Sequence, residues 1–395
     1  MVAYHHPIHM IAPPLISPPM PESTPSSAIL PAAGAVSSEL IADVRALAGA
    51  GAAIDEALLD AAMRGWSVNT RRAFRSDLTL WARWCEHRRV EPRAAGPELA
   101  AAWVRALAGI DPSDEKVRAI ATVERYLVHV GWAYRMAGLG DPTAAPLVKF
   151  EMKAARKELG VRQRQARAIR FKGDISDLDS PAAGVCLAHL LKACRRDALG
   201  LRDAALLRVA YDTGARRSEL VAIDVAHLEG LDGEGAGILH IPSSKTDREK
   251  RCAEAYLSPA TMQAIARWRK AGEVRSGPLF RRVYTHFDGS IDRIGTDRLH
   301  ANSIALIYRR LVRRAWEKKL LGEMSEAELE RWVRAVSSHS IRVGVAQDNF
   351  AAGEGLPAIM QAYRWRDART VMRYGARLAT KSGAAARLAR RFSDG

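Results

Sequence analysis

Residues 363–377 read YRWRDARTVMRYGAR, and this segment gives the first indication of the fold of the chain. Its pattern predicts a helix that begins after Asp367, because an aspartate in that position accepts hydrogen bonds from the first free backbone N–H groups. Trp365 precedes the helix, and Tyr374 follows nine residues later, near its end. A tyrosine late in a basic helix is by default a packing residue, so the segment indicates chemistry only in combination with others.

Three other segments, far apart in the sequence, each hold a residue that can bind phosphate. In TGARRSEL (213–220), Arg216 and Glu219 stand three positions apart on one face of a predicted helix, whose start is a favourable place for an anion. In SSKTD (243–247), Lys245 lies at the tip of a predicted hairpin, where it could protonate a leaving oxygen. In HSIR, His339 and Arg342 share one helical face. Each segment alone also fits an ordinary surface ion pair, a loop lysine or a chance spacing.

The order of these residues is more specific than any one of them. An Arg, a hairpin Lys, His-x-x-Arg, Trp and a late Tyr together resemble the tyrosine recombinase (phage integrase) family over residues 67–392. The segments SHSIRVGVAQDNFAAG, IMQAYRWRDARTVMRY and LFRRV are closest to the Cre-like recombinases of that family. The resemblance implies a site-specific DNA recombinase that exchanges strands between two short target sites through a 3′-phosphotyrosine intermediate and a Holliday junction.

The resemblance also implies a role for each residue of the pattern. The catalytic residues are two phosphate-binding arginines, a general acid, an acid–base histidine, a tryptophan in the place of a second histidine, and the nucleophile: Arg216 and Arg342, Lys245, His339, Trp365 and Tyr374. The resemblance further implies that Glu219 supports Arg216 and the active site without binding the phosphate itself. One departure from the family pattern is Arg217, which stands where an apolar residue is usual.

The chemistry that this resemblance implies needs neither metal nor cofactor. Two arginines and a histidine can neutralise the charge that builds up on a phosphodiester in its transition state. A tyrosine hydroxyl has an ordinary pKa of about 10, so neighbouring cations or a base must help it to lose its proton. The sequence shows no P-loop, no paired carboxylates for two metal ions and no zinc-ligand spacing. We therefore expect no cofactor, no metal and no small-molecule substrate.

The composition agrees with DNA as the partner. Lysine and arginine number 60 against 44 acidic residues, a formal net charge of +16, and such a surplus points to a polyanion. No apolar run approaches the length of about 18 residues that a membrane helix needs, and the start of the chain does not look like a secretory signal. The four cysteines form no C-x-x-C pair and are expected to be reduced thiols. We expect a cytoplasmic, nucleoid-associated protein that binds double-stranded DNA and no membrane.

Helical periodicity and composition divide the chain into four parts. Residues 1–37 are rich in proline and predict a disordered tail. Residues 38–159 predict a helical DNA-binding domain, which in the family is the core-binding (SAM-like) domain, with helices near 39–48, 54–63, 67–89, 96–108, 114–130 and 146–159. Residues 160–173 predict a basic linker. Residues 174–395 predict a mainly α catalytic domain with one small antiparallel β-sheet, whose hairpin spans 236–257.

Family likeness implies how the domains bind DNA and assemble. It implies a two-domain, C-shaped clamp around the duplex, and a homotetramer on two DNA duplexes in which the last helix, predicted over 380–392, docks into a neighbouring subunit. The residues that we expect to touch DNA lie on the first long helix and at the start of a helix predicted over 302–318: Arg71, Arg72, Arg75, Asn302 and Ser303.

Other functions on related chemistry stay open at this point. A type IB topoisomerase shares the Arg, Lys, His and Tyr chemistry but relaxes supercoils without exchanging strands, and a telomere resolvase makes hairpin ends with it. The compact helical domain and the C-terminal helix favour a recombinase over the topoisomerase. A DNA-binding protein that has lost catalysis would bind its site without cleaving it. Phage integration, plasmid dimer resolution, transposon resolution and cassette inversion all fit the pattern.

Overall fold

The structure is a computed structural model of the chain that describes residues 33–49, 54, 56–113, 115–160, 165–173, 181–231, 233, 235–241, 253–375, 385, 388, 389 and 392. The chain divides into two compact units, Met1–Gln163 and Arg164–Gly395. Both are mainly helical, and antiparallel strands occur in the second, which confirms the predicted fold class. None of the helices in the described ranges has the length and apolar character needed to span a membrane.

The N-terminal unit is built from helices and short 3-10 turns. Its helices are α1 (Ala33–Ala48), α2 (Glu56–Arg64), α3 (Val68–His87), α4 (Pro97–Ala108), α5 (Ile120–Met136) and α6 (Pro146–Leu159). Ser67 caps α3 by accepting a hydrogen bond from Thr70 N. Helix α1 begins inside the predicted tail, so residues 33–37 are helical, while residues 1–32 lie outside the described residues. Helix α5 begins six residues later than predicted (120 against 114), because Arg118 N instead donates to Leu107 O at 2.8 Å.

Aromatic side chains fill the core of this unit. The apolar positions that recur along α3 are all buried, with Phe74 and Trp81 fully enclosed. The rings of Trp81 and Trp103 lie 4.9 Å apart, and Trp81 Nε1 donates to Tyr134 Oη at 3.1 Å. The helical spacing in the sequence therefore identifies the face of α3 that packs on α4 and α5.

One carboxylate is buried among these helices. Asp77 of α3 is 1% exposed and accepts hydrogen bonds from Arg125 Nε and Nη2, each at 2.9 Å. Its Oδ2 also lies 2.7 Å from His129 Nδ1. These contacts replace the water that Asp77 loses on burial, and they tie α3 to α5.

The second unit contains nine helices among the residues that the structure describes. They are α7 (Leu187–Ala193), α8 (Ala198–Thr213), α9 (Arg217–Ala222), α10 (Pro259–Ala271), α11 (Ser303–Glu317), α12 (Glu326–Ala335), α13 (Ser340–Ala352), α14 (Leu356–Ala362) and α15 (Ala368–Gly375). Their apolar faces form one core, in which Trp268, Phe280 and Tyr308 are fully buried. A smaller cluster around Trp365 joins α13, α14 and α15.

Two antiparallel sheets accompany these helices. The first has the order β1 (Leu228–Gly230), β2 (Gly237–Ile241), β3 (Ala253–Leu257), so the predicted hairpin exists as β2 and β3, with Ile238 opposite Tyr256. Its tip, residues 242–252, lies outside the described residues.

The prediction of a single hairpin is wrong. Strands β4 (Arg281–Thr285) and β5 (Ile291–Arg298) form a second one. These strands bury only Val283, so the sequence shows no apolar alternation. The only signal is the turn pair Asp288-Gly289, which favours a tight hairpin.

The last part of the predicted linker is not a free connector. Residues 165–173 belong to the second unit, where Ile169 N donates to Ser340 O at 2.9 Å and Leu187 N donates to Arg170 O at 2.8 Å. Ile169 is fully buried, and Arg170 Nε donates to Asp348 Oδ1 at 2.6 Å. Asp348 lies on α13, so a segment that looks basic and unanchored in the sequence is fixed by one apolar side chain and one buried ion pair.

Candidate active site

The end of helix α8 forms the floor of the candidate site. Gly214 takes a left-handed conformation with φ of 55° and ends the helix after Thr213. The last carbonyl groups of a helix lack partners within it and carry partial negative charge, so they attract cations. Arg342 Nη1 donates to Gly214 O, and Arg364 Nη2 donates to Thr213 O at 3.0 Å. Two arginines from distant parts of the sequence thus meet at one helix end.

Arg216 stands at the start of the next helix, α9, and is held by Glu219. Arg216 N donates to Glu219 Oε2 at 2.9 Å, and Arg216 Nη1 donates to Oε1 at 2.6 Å. Glu219 is buried, whereas the Arg216 side chain is 37% exposed and can still reach a ligand. Burial acts to raise the pKa of Glu219, but the hydrogen bonds from Arg216 outweigh it, so the pKa lies below its ordinary value. Glu219 is therefore an ionised support for Arg216.

Helix α13 contributes His339 and Arg342. His339 is exposed at the N-terminal end of α13, yet the protein around it removes part of its hydration. This desolvation, followed by the positive charges of Arg342, Arg217 and Arg216, lowers the pKa of His339 below its ordinary value of 6.5. A neutral imidazole beside several cations can accept a proton, as an acid–base group requires.

Arg342 and Trp365 form the buried side of the site. The Arg342 guanidinium carbon lies 4.7 Å from the centre of the Trp365 ring, and both residues are at most 5% exposed. Burial, then the charge of Arg216, lowers the pKa of Arg342 to about 10, so it stays a cation at neutral pH. Among the described residues, the buried Trp365 Nε1 has no hydrogen-bond partner. A buried donor beside the Arg342 cation suits an anionic ligand.

Tyr374 lies next to this group on α15. Asp367 caps the helix as predicted, accepting hydrogen bonds from Arg369 N at 3.1 Å and Thr370 N at 3.2 Å. The Tyr374 and Trp365 rings are 6.1 Å apart in an edge-to-face arrangement, and Gln347 Nε2 donates to Tyr374 O at 3.1 Å. The tyrosine is partly buried, so its ring is fixed by packing while part of it reaches solvent.

The structure brings together six of the residues singled out in the sequence: Arg216, Glu219, His339, Arg342, Trp365 and Tyr374. Lys245 lies outside the described residues. In the described part of the chain, no group of three or more His, Cys, Asp or Glu side chains could hold a metal ion. The geometry is that of a cluster of cationic side chains beside the Tyr374 ring.

The residues predicted to touch DNA lie on both units, three of them on α3 and two at the start of α11. Arg72 and Arg75 are exposed on α3, and Arg75 pairs with Asp43 at 2.9 Å. Arg71 is partly buried, and its Nε donates to Trp66 O. Asn302 precedes α11, whose first residue is Ser303, and its Oδ1 accepts a hydrogen bond from Arg217 Nη1 at 3.1 Å. A role for these side chains in DNA reading stays a prediction.

The sequence pattern misses Arg364, which lies against Glu219 and the end of α8. Its position directly before Trp365 is the only signal for it, because nothing in the spacing of the segment separates it from the other arginines there.

Known proteins resemble this chain in sequence. Residues 186–380 match the phage integrase family. The recombinase cre of Escherichia phage P1 is 28% identical over 329 residues, which cover 82% of this chain and 89% of the phage protein. The integrase/recombinase xerD homolog of Selenomonas ruminantium is 25% identical over 314 residues, or 78% and 81% of the two chains.

Solved structures resemble it in fold. The Tn1549 transposon integrase, in complex with transposon right end DNA, matches with a TM-score of 0.50 and 14% identity over 84% of this chain and 96% of the integrase. The XerH site-specific recombinase, bound to a palindromic difH substrate, matches with a TM-score of 0.50 and 11% identity over 88% and 96% of the chains. In sequence, residues 186–380 of this chain are a phage integrase family domain, and most of the chain is similar to the two recombinases.

Proposed function

We propose that the chain is a metal-independent, site-specific DNA recombinase. It cleaves and rejoins DNA through a 3′-phosphotyrosine bond to Tyr374 and exchanges strands between two short target sites by way of a Holliday junction. One observation carries this proposal. At the end of α8, beside Arg216, the Trp365 indole packs between the Arg342 guanidinium and the Tyr374 ring. This arrangement supports a phosphate held by arginines next to a nucleophile.

In the cleavage step, the Tyr374 oxygen attacks the phosphorus of a backbone phosphate. A bond forms between phosphorus and the tyrosine oxygen, and the bond from phosphorus to the 5′-oxygen breaks. His339 accepts the phenolic proton, and Lys245 donates a proton to the leaving 5′-oxygen. Arg216, Arg342 and Trp365 Nε1 bind the nonbridging oxygens, where negative charge increases. The free 5′-hydroxyl of the partner duplex then attacks the phosphotyrosine, reversing the step on a different strand without an external energy source.

Binding and assembly follow from the same proposal. The partner is double-stranded DNA, bound by a basic protein whose affinity depends on phosphate contacts and falls as salt increases. The active form is a homotetramer on two DNA duplexes, in which the C-terminal residues dock into a neighbouring subunit. Two apolar side chains of that region, Leu388 and Phe392, are 54% and 78% exposed, and both residues are helical. Apolar groups so exposed are suited to burial in a partner subunit.

A suicide-substrate assay tests the chemistry. DNA that carries the native recombination site and a nick beside the cleavage position releases a short fragment on cleavage, so the covalent adduct accumulates. We expect a covalent band on a denaturing gel with the wild-type protein and with Tyr284→Phe, a tyrosine of β4, and no band with Tyr374→Phe. A band from Tyr374→Phe would assign the nucleophile elsewhere. No band from the wild type, on DNA that it binds tightly, would reject catalysis in favour of a DNA-binding role.

A further inference from the structure

Arg364 occupies a backbone position that normally belongs to glycine. Helix α14 ends in a Schellman motif, in which Trp365 N donates to Met360 O at 2.9 Å and Arg364 N donates to Gln361 O at 3.3 Å. The residue in the position of Arg364 must take a left-handed conformation, and Arg364 does so with φ of 55°. Side chains rarely adopt this conformation because Cβ then crowds the backbone. Arg89, Glu273 and Lys319 take this conformation as well, so the role of Arg364 follows from its side-chain contacts.

The Arg364 side chain turns inward rather than into solvent. It is 17% exposed, its Nη2 donates to Thr213 O at 3.0 Å, and its Nη2 also lies 3.9 Å from Glu219 Oε2. Its Nη1 is buried and has no hydrogen-bond partner among the described residues. The contacts that Arg364 makes are thus to the protein, at Thr213 O and Glu219 Oε2, and these are the groups through which it can act on the reaction.

Glu219 is the neighbour through which it can act. One carboxylate oxygen of Glu219 holds Arg216 Nη1, while the other faces both Arg216 N and Arg364. A buried carboxylate with a cation on each oxygen has a single preferred orientation. Without Arg364, the second oxygen would keep only the backbone N–H, and the carboxylate could rotate and release the Arg216 side chain.

We propose that Arg364 is a positioning residue for cleavage: it fixes Glu219, which in turn fixes the phosphate-binding Arg216. This inference rests on the proposed function. It predicts a defect in the cleavage rate rather than in DNA affinity, because a misplaced Arg216 stabilises the transition state less. A loss of DNA affinity would instead mean that Arg364 binds phosphate itself. Burial lowers the pKa of Arg364, and the Glu219 charge opposes this, consistent with a cation that depends on its carboxylate.

Single-turnover cleavage of the nicked substrate at saturating protein tests this inference. Arg364→Met removes the charge but keeps the length of the side chain, and Arg364→Lys keeps the charge. Arg364→Gly removes the side chain and also the strain of a left-handed backbone conformation. The control is Arg267→Met, an exposed arginine of α10. We expect Arg364→Met and Arg364→Gly to cleave about 10- to 100-fold more slowly than wild type. DNA affinity should stay within about threefold, and Arg364→Lys should recover part of the rate.

Two further measurements separate positioning from a structural role. Arg364→Gly should melt at or above the wild-type temperature while it cleaves slowly, because glycine suits the left-handed conformation. In a Glu219→Gln background, Arg364→Met should slow cleavage little further, since both changes remove one linkage. The inference would be overturned if the two substitutions slowed cleavage independently, so that their effects multiplied in the double variant. It would also be overturned if cleavage were slow only in those Arg364 variants that have lost stability. Wild-type rates in all Arg364 variants would reject it and leave the proposed function intact, whereas no adduct from the wild type would remove both.

Discussion

Gly344→Ala is the change whose effect follows most directly from the coordinates. Gly344 lies on α13 where the backbone of residues 169–170 crosses the helix. A Cβ atom on residue 344 would stand 1.9 Å from Ile169 O and 2.4 Å from Ile169 C. Both are backbone atoms, so no side-chain rotation can relieve the overlap. The segment or the helix has to move.

The size of the effect can be worked out from three contributions. Overpacking of a close-packed site costs about 1–3 kcal/mol. Displacement of the segment also breaks the 2.9 Å hydrogen bond from Ile169 N to Ser340 O, a loss of about 1 kcal/mol. Alanine in place of glycine inside a helix offsets about 1 kcal/mol of this. The net free energy of unfolding should fall by about 2 kcal/mol, which lowers the melting midpoint of a domain of this size by about 4–8 °C.

Thermal unfolding followed by circular dichroism measures this difference. The matched control is Gly230→Ala on β1, where a Cβ would meet nothing within 4 Å. Single-turnover cleavage should also slow in Gly344→Ala alone, because α13 carries Arg342 and His339 into the site. Equal melting midpoints for the two variants would refute the docking of residues 169–170 on α13.

Acidity, burial and the C-terminal region provide three further tests. Desolvation and neighbouring arginines lower the pKa of His339 below 6.5. The cleavage rate should therefore be constant above pH 6.5 and fall at lower pH, as the imidazole gains a proton. If the rate falls in the same way in His339→Gln, another group is responsible. Asp77→Ala leaves Arg125 and His129 without their buried partner and should lower the free energy of unfolding by about 2–3 kcal/mol in urea titrations; an unchanged midpoint would contradict this. Deletion of residues 379–395 should weaken the pairing of two DNA sites more than binding to one site in gel-shift assays, and equal losses would count against subunit docking.

Local signals in the sequence predict much of this fold. The Ser67 cap, the apolar spacing of α3 and the strand alternation around β2 and β3 each depend on neighbouring residues, so the pattern is visible without the structure. Asp367 at the start of α15 is a signal of the same kind. The pattern of residue types also selects six side chains that the fold gathers into one pocket, although their roles in cleavage remain to be tested.

Features that depend on distant contacts could not be predicted in this way. The segment around Ile169 looks like a linker because its partner, α13, lies more than 150 residues later in the sequence. Arg364 looks like one of several arginines until Glu219 and Thr213 are placed beside it. The β4–β5 hairpin is not predicted from the sequence, because its strands are mostly exposed and so show little apolar alternation.

The meeting of distant arginines at the end of α8 also determines when the site can exist. The contact between Arg342 and Gly214 spans 128 residues, and that between Arg364 and Thr213 spans 151. A chain emerging from the ribosome holds Arg216 and Glu219 long before these partners are synthesised, and contacts of such long range form late in folding. Incomplete chains therefore lack both this arginine cluster and Tyr374, so under the proposed function a nascent polypeptide cannot cleave DNA before its second unit is almost complete.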